Sequence, residues 1–356
     1  MIKYRWEELA DVLINHSLKV QKGEKVMLSM RETEAFPLIC ALYEKAIQAG
    51  AFVQVQFLSE EFSRILLTQG SMEQIQQEPG IESYGMDWAD VYCGIRSVKN
   101  LSQLADVDNE KLVAYRQTMG KISAKRTANT RWAILPLPTP EMAVEAKMPY
   151  ESLMNMFFDG CIRDWEAEKA EMTRVRDLIK DAKKIRILGQ ETDLSFSVEG
   201  RLWAVDSGEI NMPGGEIFTS PVDETVNGKI YFENPGVLGG RLVKDIRLEF
   251  KDGEIISASA SENEDFLKET IHMDAGSGRV GEFAFGTNAA IDRWCNDILM
   301  DEKIGGTVHI ALGRAYTENK GTNKSSLHWD IIKDTRTNGE VYADDKLIFK
   351  NGKFVI

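Results

Sequence analysis

Asp301–Tyr316 reads DEKIGGTVHIALGRAY. After Gly306 the residues alternate in character. Val308, Ile310 and Leu312 fall on one face of a strand and Thr307, His309 and Ala311 on the other, because successive strand side chains point to opposite sides. An imidazole therefore stands on the face opposite a purely apolar one. Working outward, Gly281–Asn288 (GEFAFGTN) puts Phe283 and Phe285 on one face and Glu282 on the other. In SSLHWD, His328 and Asp330 are two apart and share a face, while Trp329 packs on the opposite side. Asn211–Pro221 (NMPGGEIFTSP) uses Pro213-Gly214-Gly215 as a turn that delivers Glu216 to the start of an apolar strand. A carboxylate buried at such a position needs a partner, because an unpaired buried charge is costly.

The surroundings of these segments are strand-rich. Residues 186–356 contain short alternating segments, many glycines and hairpin signals at Asn227–Gly228, Asp252–Gly253 and Asn351–Gly352. A helix is expected over Ala289–Asp297. This half is read as a mixed α+β domain with antiparallel, barrel-like strands. Residues 1–185 read differently. Helical patterns at Trp6–Lys19, Glu34–Ala49 and Asp164–Lys183 alternate with strand patterns at Lys25–Met30, Ala51–Leu58, Val91–Ile95 and Trp132–Leu137. Such alternation predicts an α/β domain with a mainly parallel sheet. Gly50 is a helix stop. No G-x-G-x-x-G or P-loop follows any of these strands, so nucleotide binding is not supported.

Composition narrows the classes further. At about 100–200 residues per domain, a chain of 356 residues suggests two domains. The formal net charge of −13 repels nucleic-acid phosphates and anionic membranes, and no basic patch is interleaved with aromatics. No stretch reaches the roughly 18 apolar residues of a membrane helix. Glu7, Glu8 and Asp11 occupy the place of a signal peptide's apolar core. Cys40, Cys93, Cys161 and Cys295 are far apart, which fits reduced thiols. The expectation is a cytoplasmic protein with neither nucleic acid nor membrane as partner.

Imidazole and carboxylate together suit zinc, cobalt, manganese or iron(II) better than calcium. The surplus of carboxylates is enough for two divalent ions, whose mutual repulsion bridging carboxylates offset. Two such ions can hold a shared hydroxide and polarise a carbonyl, the logic of metal-assisted amide hydrolysis. A lone buried histidine is more often a hydrogen-bonded core residue than a ligand, so spacing alone makes a weak metal site. His16 and His272 have no comparable neighbours.

Four segments, in order, resemble the thermophilic-type metalloaminopeptidase family of aminopeptidase T, AmpS and PepS. NMPGGEIFTSP resembles the family segment whose glutamate binds metal, here Glu216, and GEFAFGTN the one whose glutamate bridges the metals, here Glu282. MDEKIGGTVHIALGRAY resembles the block that implies Glu302 and His309 as ligands and Tyr316 as a catalytic hydroxyl. NKSSLHWD implies His328 and Asp330. The resemblance implies two divalent metal ions, release of N-terminal residues from short peptides, and a homodimer enclosing its sites. It implies Glu282 and Tyr316 as the catalytic pair. The link Lys303-Ile304-Gly305-Gly306 between Glu302 and His309 is longer than in the family pattern, and the stretch from Tyr316 to His328 is shorter.

Two rivals remain at this stage. His309, His328 and Asp330 also make the facial triad of a mononuclear non-haem iron enzyme, and ring-cleaving dioxygenases of hydroxypyridines use a related scaffold. The surplus Glu216 and Glu282 argue against that. The other rival is a catalytically silent metal-binding protein.

Overall fold

The computed structural model describes residues 4–97, 100, 103–104 and 106–356. Two compact units emerge. One comprises residues 1–162 with 208–213, the other 163–207 with 214–356. The sequence puts the change of texture near residue 185. In the structure the helix Trp165–Ile179 already belongs to the second unit, because its Met172, Val175 and Ile179 join that unit's core. Residues 208–213 belong to the first unit because Asn211 bridges to the strand through Ile134.

The first unit is built on four parallel strands, Lys25–Arg31, Phe52–Leu58, Val91–Ser97 and Arg131–Leu137, in spatial order second, first, third, fourth. The Phe36–Gln48 helix stops where expected, with Gly50 at φ +84. The first helix is α-helical over Trp6–Val12 and continues as a π-helical turn over Leu13–Ser17.

Among the described residues the second unit contains three antiparallel sheets: a two-stranded one, Gly236–Leu238 with Arg241–Val243, and two larger open ones that both contribute to one apolar core. Eight strands form one of the larger sheets. The other, which carries the site, has five: Ala204–Asp206, Glu216–Thr219, Val280–Gly286, Thr307–Gly313 and His328–Asp334, neighbours in that order. Phe283 lies at the centre of the core, fully buried, with its ring 5.2 Å from Phe196 and 5.0 Å from Phe285.

Two of the three expected hairpin turns form. Asp252–Gly253 and Asn351–Gly352 each take left-handed φ at both residues, as a two-residue turn matched to strand twist requires. Asn227–Gly228 does not turn; it opens the strand Asn227–Phe232. Its side chain caps a neighbour instead, accepting from the Asp252 backbone N–H, and Gly228 at φ +112 passes so close to the Asp193 carbonyl that no Cβ would fit. A turn not anticipated is Asp344–Asp345, where two aspartates take the left-handed region that this residue type tolerates. The helix expected over Ala289–Asp297 is also absent; only Ile298–Asp301 is helical. Tertiary bonds take the place of an intrahelical ladder. Asn288 gives its amide to the Gly214 carbonyl, and its own carbonyl accepts from Gly305.

Replacing Phe283 by Ala should cost about 3–5 kcal/mol, read as a lowered midpoint in chemical denaturation; a loss under 1 kcal/mol would mean that the two sheets do not share the core described.

Candidate metal centre

Cross-strand register decides which side chains meet. Glu282 pairs with Ala311, which pairs with Asp330; Ala284 pairs with His309; Gly313 pairs with His328. On the other flank Gly286 pairs with Glu216, which pairs with Asp206. Directly paired residues share a face. One face of the sheet therefore collects Asp206, Glu216, Glu282, His309, His328 and Asp330 around a floor of Ala284, Gly286 and Ala311. Small floor residues leave room above them. The opposite face carries Phe283, Phe285, Val308, Ile310, Leu312, Trp329 and Ile331, all in the core. The alternation expected for each of these strands is what the structure contains.

Local backbone fixes the entry of Glu216. Gly215 has φ +118, and a Cβ there would lie 2.7 Å from the Asn288 Cβ. Its N–H donates to the Asp206 carbonyl and its carbonyl accepts from Thr287. Glu302 arrives from the end of the short Ile298–Asp301 helix.

The donor atoms converge. His309 Nε2 lies 3.5 Å from Glu216 Oε2 and 3.9 Å from Asp330 Oδ1. His328 Nε2 lies 3.4 Å from Glu282 Oε2 and 3.5 Å from Asp330 Oδ2. Most are long for hydrogen bonds, but they match the roughly 3.4 Å between ligands that each sit about 2.1 Å from a tetrahedral ion. Three triads of ligand atoms lie within 4.8 Å of one another: Glu216, Glu282 and His309; Glu282, His328 and Asp330; Glu302, His309 and Asp330. This donor set of imidazole and carboxylate fits a divalent transition metal. His16 and His272 belong to none of the triads.

His328 Nδ1 is 2.8 Å from the Arg314 carbonyl, which fixes that nitrogen as the donor and turns Nε2 toward the carboxylates. The Tyr316 hydroxyl sits 3.4 Å from His328 Nε2, its ring edge-on to both His328 and Phe218. Burial raises the Tyr316 pKa, so the hydroxyl keeps its proton. Burial also pushes Glu216 up to about 7 against the pull of Lys303, and raises Glu282 and Glu302. It lowers His309, favouring the neutral imidazole a metal needs. For His328, burial acts in the same direction but Asp330 and Glu282 outweigh it, lifting the group to about 10.

Two residues of the cluster escaped the sequence reading. Lys303 has no exposed side-chain surface and reaches Glu216, Asp206 and Glu302 at 2.6, 2.9 and 3.0 Å. Burial opposes its charge, but these three carboxylates hold its pKa well above the usual lysine value. The one available signal was a lysine set between Glu302 and an apolar, glycine-rich run. Asp206 gave no signal, because only strand pairing brings it beside Glu216.

Residues 2–354 match the family model for the thermophilic metalloproteases, M29. Aminopeptidase T of Thermus thermophilus is 27% identical, with 99% of each chain covered. Aminopeptidase 2 of Geobacillus stearothermophilus is 24% identical over 92% of each, and aminopeptidase AmpS of Bacillus subtilis 24% over 97% of each. Among solved structures, wild-type AmpT from Thermus thermophilus superposes with a TM-score of 0.84 at 23% identity, over 99% of both chains. 2,5-Dihydroxypyridine dioxygenase from Pseudomonas putida KT2440 gives 0.64 at 15% identity, covering 99% of this chain and 97% of its own. These two likenesses concern the fold. The match across nearly the whole length establishes that the chain belongs to the M29 family of metalloproteases.

Proposed function

We propose that this chain is an aminopeptidase that releases N-terminal amino acids from short peptides, with Glu216, Glu282, Glu302, His309, His328 and Asp330 as ligands of two divalent ions. The observation that carries the reading is a pair of donor triads, Glu216–Glu282–His309 and Glu282–His328–Asp330, that have only Glu282 in common. Glu282 is common to both sets, so with Glu216, His309, His328 and Asp330 it would hold the two ions. Membership of a metalloprotease family and full-length likeness to proteins named aminopeptidases support it. Zinc, cobalt and manganese are the ions this donor set suits. When bound, they supply polarisation of the scissile carbonyl and a lowered pKa for water.

The chain's own groups do the rest. Tyr316 donates its retained proton as a hydrogen bond to the oxygen that becomes negative when the scissile carbonyl is attacked. The carboxylate ring holds the proton released by the attacking water until the leaving amine takes it. Carboxylate oxygens not used by metal offer a counter-charge to the peptide's α-ammonium group. A cytoplasmic homodimer is the setting the family resemblance supports. Among the described residues no helix is long and apolar enough to cross a membrane.

The deciding experiment measures metal content together with hydrolysis of leucine and arginine aminoacyl reporters, before and after chelation and re-addition of cobalt or zinc. Two ions per chain with chelator-sensitive release is the expected result. One iron per chain and no release would favour the dioxygenase chemistry, in which Glu216, Glu282 and Glu302 have no task. Metal with neither activity would indicate a binding protein. Glu282→Gln should abolish release while the circular dichroism spectrum stays unchanged. Tyr316→Phe should lower kcat about 10²-fold with metal content intact; a wild-type kcat would remove Tyr316 from the chemistry.

The raised carboxylates also set a pH dependence for the ion-free protein. A glutamate whose folded pKa is about 7 against an ordinary 4.5 binds its proton more tightly when folded. Its contribution to stability is complete at low pH and is lost as pH rises through about 7. Bound ions remove that loss, since they replace the protons. The gap in Tm between metal-loaded and chelated protein should therefore widen as pH rises from about 4.5 to about 7 and level off above that. A gap independent of pH would show that Glu216 is ionised in the empty cluster.

A further inference from the structure

Lys303 takes no part in the chemistry proposed above, yet no side chain in the cluster is more buried. An ammonium without water is tolerated only when paired, and this one is paired three times over. Its partners are Glu216 Oε1, Glu302 Oε1 and Asp206 Oδ2. The arrangement divides the labour between the two oxygens of Glu216. Glu216 gives Oε1 to Lys303, while its Oε2 faces His309 Nε2 at 3.5 Å. Glu302 also meets Lys303, through Oε1, and belongs to a donor triad with His309 and Asp330. Asp206 belongs to no triad; it pairs across strands with Glu216 and completes the cage around Nζ. The lysine backbone is held too, its N–H donating to the Met300 carbonyl and its carbonyl accepting from Asn288.

Charge points the same way. Asp206, Glu216, Glu282, Glu302 and Asp330 bring five negative charges, and Lys303 brings one positive. In the ion-loaded state, with all five carboxylates ionised and both imidazoles neutral, the cluster would carry four negative charges, the amount that two divalent ions cancel. The ammonium does not stand in for one of those ions, because the donor atoms of Glu282, His309, His328 and Asp330 face one another instead.

We propose that Lys303 is a positioning residue of the metal centre: it binds one oxygen each of Glu216 and Glu302, directs the other oxygen to the ions, and sets the cluster's charge for two of them. This rests on the two-ion reading above. Groups that orient metal ligands typically change affinity about 10–100-fold when removed. Lys303→Met keeps the unbranched stem and deletes the charge. Its stepwise dissociation constants for zinc, from competition with a chelating dye, should rise about 10–100-fold, with folding confirmed by circular dichroism. Activity lost at limiting zinc should return at saturating zinc. Asp206→Asn loosens the cage without touching a proposed ligand and should shift affinity in the same direction by less; it decides the matter if Lys303→Met does not fold. Unchanged affinity in the folded variants would overturn the proposal. So would a wild type that holds one ion, or a Lys303→Met protein that takes up a third. Failure of the two-ion wild type to release amino acids would instead sink the aminopeptidase reading and leave Lys303 in its place.

Discussion

Buried negative charge is the constraint on which the second unit depends. Glu216, Glu282, Glu302 and Asp330 are all nearly inaccessible, and they face each other across one side of a five-stranded sheet. Like charges brought together out of water repel strongly and lose their hydration. A fold that assembles them must bring in positive charge, hold protons, or both. Lys303 supplies a fixed share, and the raised pKa values of Glu216, Glu282 and Glu302 mark the part it leaves unmet. Under the two-ion proposal, metal would complete the balance by replacing the protons those carboxylates hold.

What holds such a cluster in place is the opposite face of the same sheet. On that face Phe283, Phe285, Val308, Ile310, Leu312, Trp329 and Ile331 are large apolar groups in the core, so each of the three long strands is locked against slipping by one residue, a slip that would exchange core for site. The polar face inherits its precision from that lock. Ala284, Gly286 and Ala311 matter for the complementary reason. Any larger side chain at the floor would fill the space that the donors surround.

The sequence made the strands of this face legible and their neighbours much less so. Alternation in GEFAFGTN, GTVHIALG and LHWD is a local property, visible without knowing which strand pairs with which. It gave the faces of Glu282, His309, His328 and Asp330 correctly. Pairing is non-local, so Asp206 beside Glu216 could not be read, nor could Lys303 be told from a solvated lysine in a loop. The same distinction explains the misread elements. Asn227–Gly228 has the composition of a turn, but a neighbouring strand claims the glycine for close approach. Ala289–Asp297 has enough helix formers, but Asn288 spends its hydrogen bonds on distant backbone groups. In each case a tertiary contact overrode a local preference.

The link between Glu302 and His309 then takes on physical meaning. It contains Gly305 and Gly306, and Gly306 has φ +87, a conformation that a side chain would strain. Gly286, on the neighbouring strand, has the Glu302 and Ile304 carbonyls so close that a Cβ would collide with them. The link is thus pressed against the floor of the site, folding back over it instead of looping out into water. Only a segment held that closely could carry an ammonium into a cage of carboxylates without carrying water in with it. The same closeness makes the charge of Lys303 count, because an ion pair separated from solvent is not screened by it.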